Sequence, residues 1–324
     1  MKNTNNNNLN KLYTHIPVMK KQVLEFLKCE SGKIYVDCTL GGCGHAKVIY
    51  DLIGDNGLLI GIDQDIASIQ NAANVFNKND KKVKLFHSNY STIANILINE
   101  NIKGVDGILL DLGLSTFHIK ESGRGFSFNL DEQLDMRMDT RIEITAFSVI
   151  NEFSEKDLSE IFFKYGEERF SRQIAKRIVK LRKKNPIKTS KELGEIVFQA
   201  VPIKKNYKIH PATRTFMALR IFINKELEHL EKFLNDVYDF LNPGARLCII
   251  SFHSLEDRIV KMYMKKLSKD CSCPSYLPKC ICNTKKQVNI ITKKVIRPDE
   301  FEIKNNPLAR SAKLRCMEKI LVSS

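Results

Sequence analysis

The sequence predicts an α/β fold, a mostly parallel sheet covered by helices on both faces, with an α-helical domain inserted into it. Three observations predict this. Short apolar runs at 34–37, 58–63, 83–87 and 105–113 alternate with helix-like segments, as strands buried on both faces do. The first run feeds the glycine turn Gly41-Gly42-Cys43-Gly44, which opens a helix. From about 114 to 213 the pattern is helical alone, and Arg246-Leu247-Cys248-Ile249-Ile250-Ser251-Phe252-His253 then restores a buried strand. The sheet therefore comprises 13–113 and 214–324, the insertion 114–213, and 1–12 an Asn-rich tail expected to be disordered.

In order, His15-Ile16-Pro17-Val18 leads into a helix with Val23, Leu24 and Leu27 on its apolar face. The helix after the glycine turn ends near Leu52-Ile53-Gly54, and Asn56-Gly57 turns the chain into Leu58–Asp63. A helix from Ile66 to about Phe76, a strand at Val83–His87, a helix through Ile93, Ile96 and Leu97, and a strand from Val105 complete the first half. In the insertion, 156–165 is helical, and Phe170, Ile174, Ile178 and Leu181 make one apolar stripe. After His210-Pro211-Ala212-Thr213-Arg214-Thr215 one long helix is expected to about Leu241, ended by Asn242-Pro243-Gly244.

With 43% hydrophobic and 27% charged residues, the 324-residue chain is a folded protein rather than a disordered or fibrous one. No apolar run reaches the roughly 18 residues of a membrane span, and the start has no apolar signal core, so a cytoplasmic protein without a membrane partner is expected. Nine cysteines in such a setting do not read as a disulfide framework. The net charge of +15 is concentrated: residues 164–220 carry +12 and 258–324 carry +11, against −8 elsewhere. Either a polyanion such as nucleic acid lies across the basic segments, or they are solvated lysine-rich surface; two separate concentrations favour nucleic acid.

Ligands of such sheets bind beyond the strands' carboxyl ends, where Gly41, Asp63 and Asp111 lie. The glycine turn presents backbone N–H groups and a helix N-terminus to a ligand. Asp63, 22 residues after Gly41, is placed to accept from ribose hydroxyls, although carboxylates also end strands for solubility. A dinucleotide fingerprint begun at Gly42 and Gly44 would need a small residue where Lys47 stands, which favours S-adenosylmethionine over NAD. Cys43, unlike its glycine neighbours, is expected to keep φ < 0.

These residues match a family pattern. With His15-Ile16-Pro17-Val18, the glycine turn, Asp106-Gly107-Ile108-Leu109-Leu110-Asp111-Leu112-Gly113, Arg124-Gly125-Phe126-Ser127-Phe128, Leu134-Asp135-Met136-Arg137-Met138-Asp139, Tyr165-Gly166-Glu167-Glu168-Arg169-Phe170, His210 to Arg214, Ser251 to Arg258 and Asn306-Pro307-Leu308-Ala309-Arg310-Ser311, the chain resembles the bacterial 16S rRNA cytosine-N4 methyltransferases (RsmH, or MraW) from His15 to Ile320. The resemblance implies a class I (Rossmann-like) S-adenosylmethionine-dependent methyltransferase. It also implies methyl transfer to N4 of a decoding-centre cytidine in 16S rRNA of the small ribosomal subunit. The donor-binding positions carry over to Cys43, Gly44, His45, Asp63, Tyr90, Asp111 and His118, beside Gly41 and Gly42 of the turn. Three depart from the family pattern: glycine is usual at Cys43, an aromatic that is often Phe at Tyr90, and Gln is frequent at His118.

The lone pair of a cytosine amine is delocalised into the ring, so methylation needs acceptors that hold its N–H bonds while nitrogen pyramidalises. Asp111 is one such acceptor, or else holds the donor's amino group, or caps the turn that follows. Ser115, then His253 and Ser254, are further catalytic candidates. Arg124, Arg137 and Arg214 are candidate phosphate or base contacts, and Lys180, Arg182, Lys183 and Lys184 a candidate RNA surface. Buried structural hydrogen bonding is the plainer alternative for His253 and Arg214. Other readings of the whole chain are a nucleotide-dependent dehydrogenase, disfavoured by Lys47, and a basic RNA-binding assembly factor without turnover.

Cys271-Ser272-Cys273 and Cys280-Ile281-Cys282 form two CxC pairs six residues apart. Four such thiolates suit a structural zinc knuckle, although CxC is tighter than the usual ligand spacing, and reduced surface cysteines are the plainer reading. The sequence leaves the oligomeric state open.

Overall fold

The computed structural model describes residues 17–77, 80–202, 209–271, 273, 281–282 and 284–321. The Asn-rich tail, His15-Ile16 and Cys280 lie outside the described residues. The chain forms two compact units, one made of Met1–Gly113 and Glu228–Ser324, the other of Leu114–Leu227.

The first unit opens with α1 (Lys20–Leu27), β1 (Ile34–Asp37), α2 (Gly44–Ile53), β2 (Leu58–Asp63), α3 (Ile66–Val75), β3 (Val83–His87), α4 (Ile93–Asn99) and β4 (Val105–Asp111). Parallel pairing of β1 with β2 and β4, and of β2 with β3, brings every carboxyl end to one edge. Side chains alternate across the sheet, so each strand serves two cores. Val36, Ile60, Ile108 and Leu110 pack on one face with Ile93 and Leu97 of α4. Tyr35, Leu59 and Leu109 pack on the other with Val23 and Leu27 of α1 and Ala46, Ile49 and Ile53 of α2. Each such Val, Leu or Ile side chain contributes about 1.5–3 kcal/mol.

The glycine turn differs from expectation in one residue. Gly41 takes φ 45°, and a non-glycine residue of the turn is left-handed as well: Cys43, the N-cap of α2, has φ 63° and ψ 17°. Its N–H donates to the Leu40 carbonyl at 2.6 Å, Lys47 N–H donates to its own carbonyl at 2.9 Å, and its thiol is buried, accepting from Asn71 Nδ2 at 3.6 Å. Packing thus holds a cysteine in the left-handed region. Gly44 is required for a different reason, since a Cβ there would meet the Pro17 ring at 2.9 Å.

The second unit contains α5 (Thr116–Lys120), α6 (Ala146–Glu152), α7 (Glu155–Gly166), α8 (Ser171–Arg182), α9 (Ser190–Ala200) and α10 (Ala212–Ile223). Ile174 and Ile178 of the predicted stripe are buried, with Ala175 beside them. Gly166 lets α7 approach α10, where a Cβ would lie 2.7 Å from the Arg214 carbonyl oxygen. The helix-free stretch 121–145 is held by side chains. Arg124 donates to the carbonyls of Arg137 and Met138, and Asn224 donates to the Met136 carbonyl and accepts from Met138 N–H.

The long helix expected to Leu241 is broken. It ends at Ile223, Lys225 takes φ 48°, and α11 (Glu226–Val237) starts anew. The buried Asn224 amide, committed to the 136–138 loop, and the left-handed Lys225 end the first helix. The chain therefore leaves the helical unit after Leu227 rather than at 213, because α10 packs within it against α7.

The remainder supplies β5 (Leu241–Ser251), α12 (Ser254–Leu267), β6 (Val288–Ile290), α13 (Glu300–Asn305) and β7 (Lys313–Lys319). The sheet has the order β3-β2-β1-β4-β5-β7-β6, with β7 antiparallel to both neighbours. Sequence patterning did not expose β6 and β7. Four of the seven residues of β7 are charged, yet Leu314, Cys316 and Met317 are buried, while Lys313 and Arg315 pair with Asp257 of α12 at 3.7 and 2.7 Å. Part of the second basic segment is therefore internal scaffolding rather than free cationic surface.

Alanine and glycine both discard the Cys43 thiol, so comparing them isolates the cost of a Cβ at positive φ. Cys43→Ala is expected to be less stable than Cys43→Gly by about 1–2 kcal/mol. Urea unfolding reads the difference; equal midpoints would show that the turn does not keep its left-handed residue in solution.

Candidate functional site

Four carboxyl groups converge on the carboxyl edge of the sheet unit. Asp37 ends β1, Asp63 ends β2, Asp111 ends β4, and Glu256 lies in the first turn of α12. Asp63 is a structural hinge-pin as well as a candidate ligand group: its Oδ2 accepts Gly41 N–H at 2.9 Å and its Oδ1 accepts Asp65 N–H at 2.8 Å. The carboxylate thereby fixes the glycine turn to the end of the neighbouring strand.

Asp37 was not among the residues expected here. It is 1% exposed; Oδ1 accepts Thr39 N–H at 3.1 Å, but the buried Oδ2 has no hydrogen-bond partner among the described residues. Burial pushes its carboxyl up to about 7, opposed by the Thr39 and Ala46 N–H groups and reinforced by Asp63. Asp111 is similar. Its Oδ1 is buried without a hydrogen-bond partner, and its carboxyl is raised by burial, then by the charges of Asp37 and Glu256. Its Oδ2 lies 3.7 Å from Nε2 of His45 in the first turn of α2, and its backbone N–H donates to Thr39 Oγ1 at 2.8 Å. The signal for Asp37 lay in the sequence as the last residue of a buried strand before the glycines.

A buried carboxylate with an unmatched oxygen is costly unless a cation or donor meets it. The arrangement therefore suits a ligand with positive charge near Asp37 and Asp111. The N-terminus of α2 suits the opposite charge: Cys43 gives no side-chain cap and the first turn holds no acid.

Other expected residues are placed differently. Tyr90 is buried, its ring edge-on to Phe233 at 5.7 Å. Lys47 is exposed on α2, so it does not bear on helix–strand packing, and the objection to a dinucleotide that rested on it falls away. His253 is the N-cap of α12: its Nδ1 accepts Glu256 N–H at 3.4 Å, its Nε2 lies 3.1 Å from Glu256 Oε1, and Glu256 Oε2 accepts Phe252 N–H at 2.8 Å. Ser254, next to it, is exposed.

Within the helical unit, Ser115 caps α5, its Oγ 2.9 Å from His118 Nδ1, and the buried His118 ring meets Phe126 edge-on at 5.4 Å. Arg137 is bidentate to Asp135 and donates to the Thr140 and Ile142 carbonyls. Arg182 donates to the carbonyls of Ile150 and Phe153. With Arg124 engaged as described above, three of the arginines expected on a nucleic-acid surface have their guanidinium groups committed to holding loops. Lys180, Lys183 and Lys184 are exposed, as is Arg214, which donates once to the Glu167 carbonyl at 3.3 Å.

A family model described as the MraW methylase family matches residues 12–320. The chain belongs to this family. It is accordingly an S-adenosylmethionine-dependent methyltransferase. A relative from Desulforapulum autotrophicum, named ribosomal RNA small subunit methyltransferase H, is 51% identical over 305 residues, covering 94% of this chain and 98% of its own. One of the same name from Clostridioides difficile is 45% identical over 309 residues, covering 95% and 99%. No helix among the described residues is long and apolar enough to cross a membrane.

The raised Asp37 carboxyl makes ligand-free stability depend on pH. A folded-state value above the unfolded one stabilises fully below the unfolded value of about 3.9 and is lost as pH rises through the folded value. The urea midpoint of the ligand-free protein is expected to fall between about pH 4 and about pH 7, and Asp37→Asn to make that slope shallower. An unchanged slope in the variant would show that Asp37 titrates as an ordinary carboxylate.

Proposed function

We propose that the chain methylates N4 of a cytidine in the decoding centre of small-subunit ribosomal RNA. The observation that carries this reading is the pair of buried, unmatched oxygens, Asp37 Oδ2 and Asp111 Oδ1, on the neighbouring strands β1 and β4. S-adenosylmethionine, when bound, supplies an electrophilic methyl on a sulfonium and carries an ammonium group, the positive charge that the Asp37 carboxylate lacks. The α2 N-terminus would hold its carboxylate, and Asp63 its ribose hydroxyls. The name shared by the relatives supports small-subunit rRNA as the substrate.

Asp111 is the residue we assign to the amine. Its Oδ1 is unengaged, whereas the Ser115 hydroxyl is tied to His118 and the His253 ring to Glu256. A carboxylate accepting an N4–H bond orients the nitrogen lone pair away from the ring system, and it stands ready for the proton that N4 releases as the carbon–nitrogen bond forms. Its raised proton affinity suits that task.

Incubation with labelled S-adenosylmethionine and small subunits lacking the modification should label cytidine N4, read by nuclease digestion and mass spectrometry. Asp111→Asn is expected to lower kcat by about 100-fold or more. Label on another atom would overturn the N4 assignment, and ribosome binding with no label at all would leave an assembly factor without turnover.

The exposed lysines of the helical unit would take the RNA backbone. Replacing Lys180, Lys183 and Lys184 together by alanine should weaken binding and reduce the slope of log K against log salt by about two to three. An unchanged slope would place the RNA elsewhere.

A further inference from the structure

The connection 268–287 between α12 and β6 has no helix or strand among its described residues, and it carries the CxC pairs. Loops of such length inside a compact unit need their own reason to be ordered. Here three thiols converge: the Sγ atoms of Cys271, Cys273 and Cys282 all lie within 4.8 Å of one another. The Cys271 and Cys282 sulfurs are 3.8 Å apart. A disulfide would need about 2.05 Å. Sulfurs bound at about 2.3 Å to a tetrahedral ion stand about 3.8 Å apart.

We propose that Cys271, Cys273 and Cys282 bind one Zn2+ ion that staples this connection. Backbone donors support the same reading independently. Cys273 N–H points at Cys271 Sγ and Ile281 N–H at Cys273 Sγ, each at 3.4 Å. An N–H directed at sulfur stabilises a thiolate, the form that ligates metal. Lys265, Lys266, Lys269 and Lys285, close in sequence to these cysteines, line one cleft. The thiols release their protons as the ion binds, and no redox change is involved. Among common divalent ions, a sulfur-rich site selects zinc over magnesium or calcium. Three thiolates leave one tetrahedral position for a further ligand. The site is structural and independent of the methyl-transfer reading.

The test uses the full chain, reduced, stripped of metal and dialysed against Zn2+. About one equivalent should remain by elemental analysis, and Cys271→Ser or Cys282→Ser should lose it while Cys29→Ser, outside the cluster, keeps it. Replacing zinc by Co2+ should give thiolate-to-cobalt charge-transfer absorption in the wild-type chain, a readout that does not depend on any variant folding. Absence of that absorption, retention of no metal by the reduced protein, or binding untouched by both substitutions would each overturn the proposal.

Discussion

The structure depends on the burial of acidic groups where parallel strands end. Asp37, Asp63 and Asp111 stand at the carboxyl ends of three adjacent strands because parallel pairing aligns those ends. Glu256 joins them from the first turn of α12. Their mutual repulsion and desolvation raise the proton affinity of Asp37 and Asp111, and only part of the cost is met inside the protein. Asp63 spends both oxygens on backbone N–H groups and so anchors the turn that presents the α2 N-terminus. One edge therefore offers unmatched negative charge beside a helix N-terminus that has no side-chain cap, complementary to a ligand that is both cation and anion.

Arginine and lysine divide the cationic work in the helical unit. In the helical unit, Arg124, Arg137 and Arg182 organise loop backbone by donating to carbonyls, a task for which a fixed fork of five donors is suited and a lysine is not. Exposed lysines carry the surface charge instead. The division matters for nucleic-acid recognition, because phosphate affinity comes from charge free to displace counterions, not from guanidinium groups satisfied internally.

Much of the fold was legible in the residues. The first four strands and the helices between them follow from apolar runs of strand length separated by glycine and asparagine turns. The mostly parallel sheet followed from the same alternation. β7 escaped because its charged positions are satisfied by Asp257 and by Glu318 pairing with Arg246, so a central strand reads locally as basic tail. The break after Ile223 escaped because Asn224 ends the helix through partners more than eighty residues away.

The sequence by itself determined the elements, the family pattern and the chemistry available at the strand ends, since these depend on local periodicity and residue type. Tertiary structure decided which of those groups remain free to act. It gave Cys43 a left-handed backbone that local rules disfavour, turned Lys47 to solvent, spent His253 on a helix cap, and left oxygens of Asp37 and Asp111 unmatched. Desolvation and hydrogen-bond satisfaction are sums over neighbours distant in sequence, so they exist only once the chain has folded.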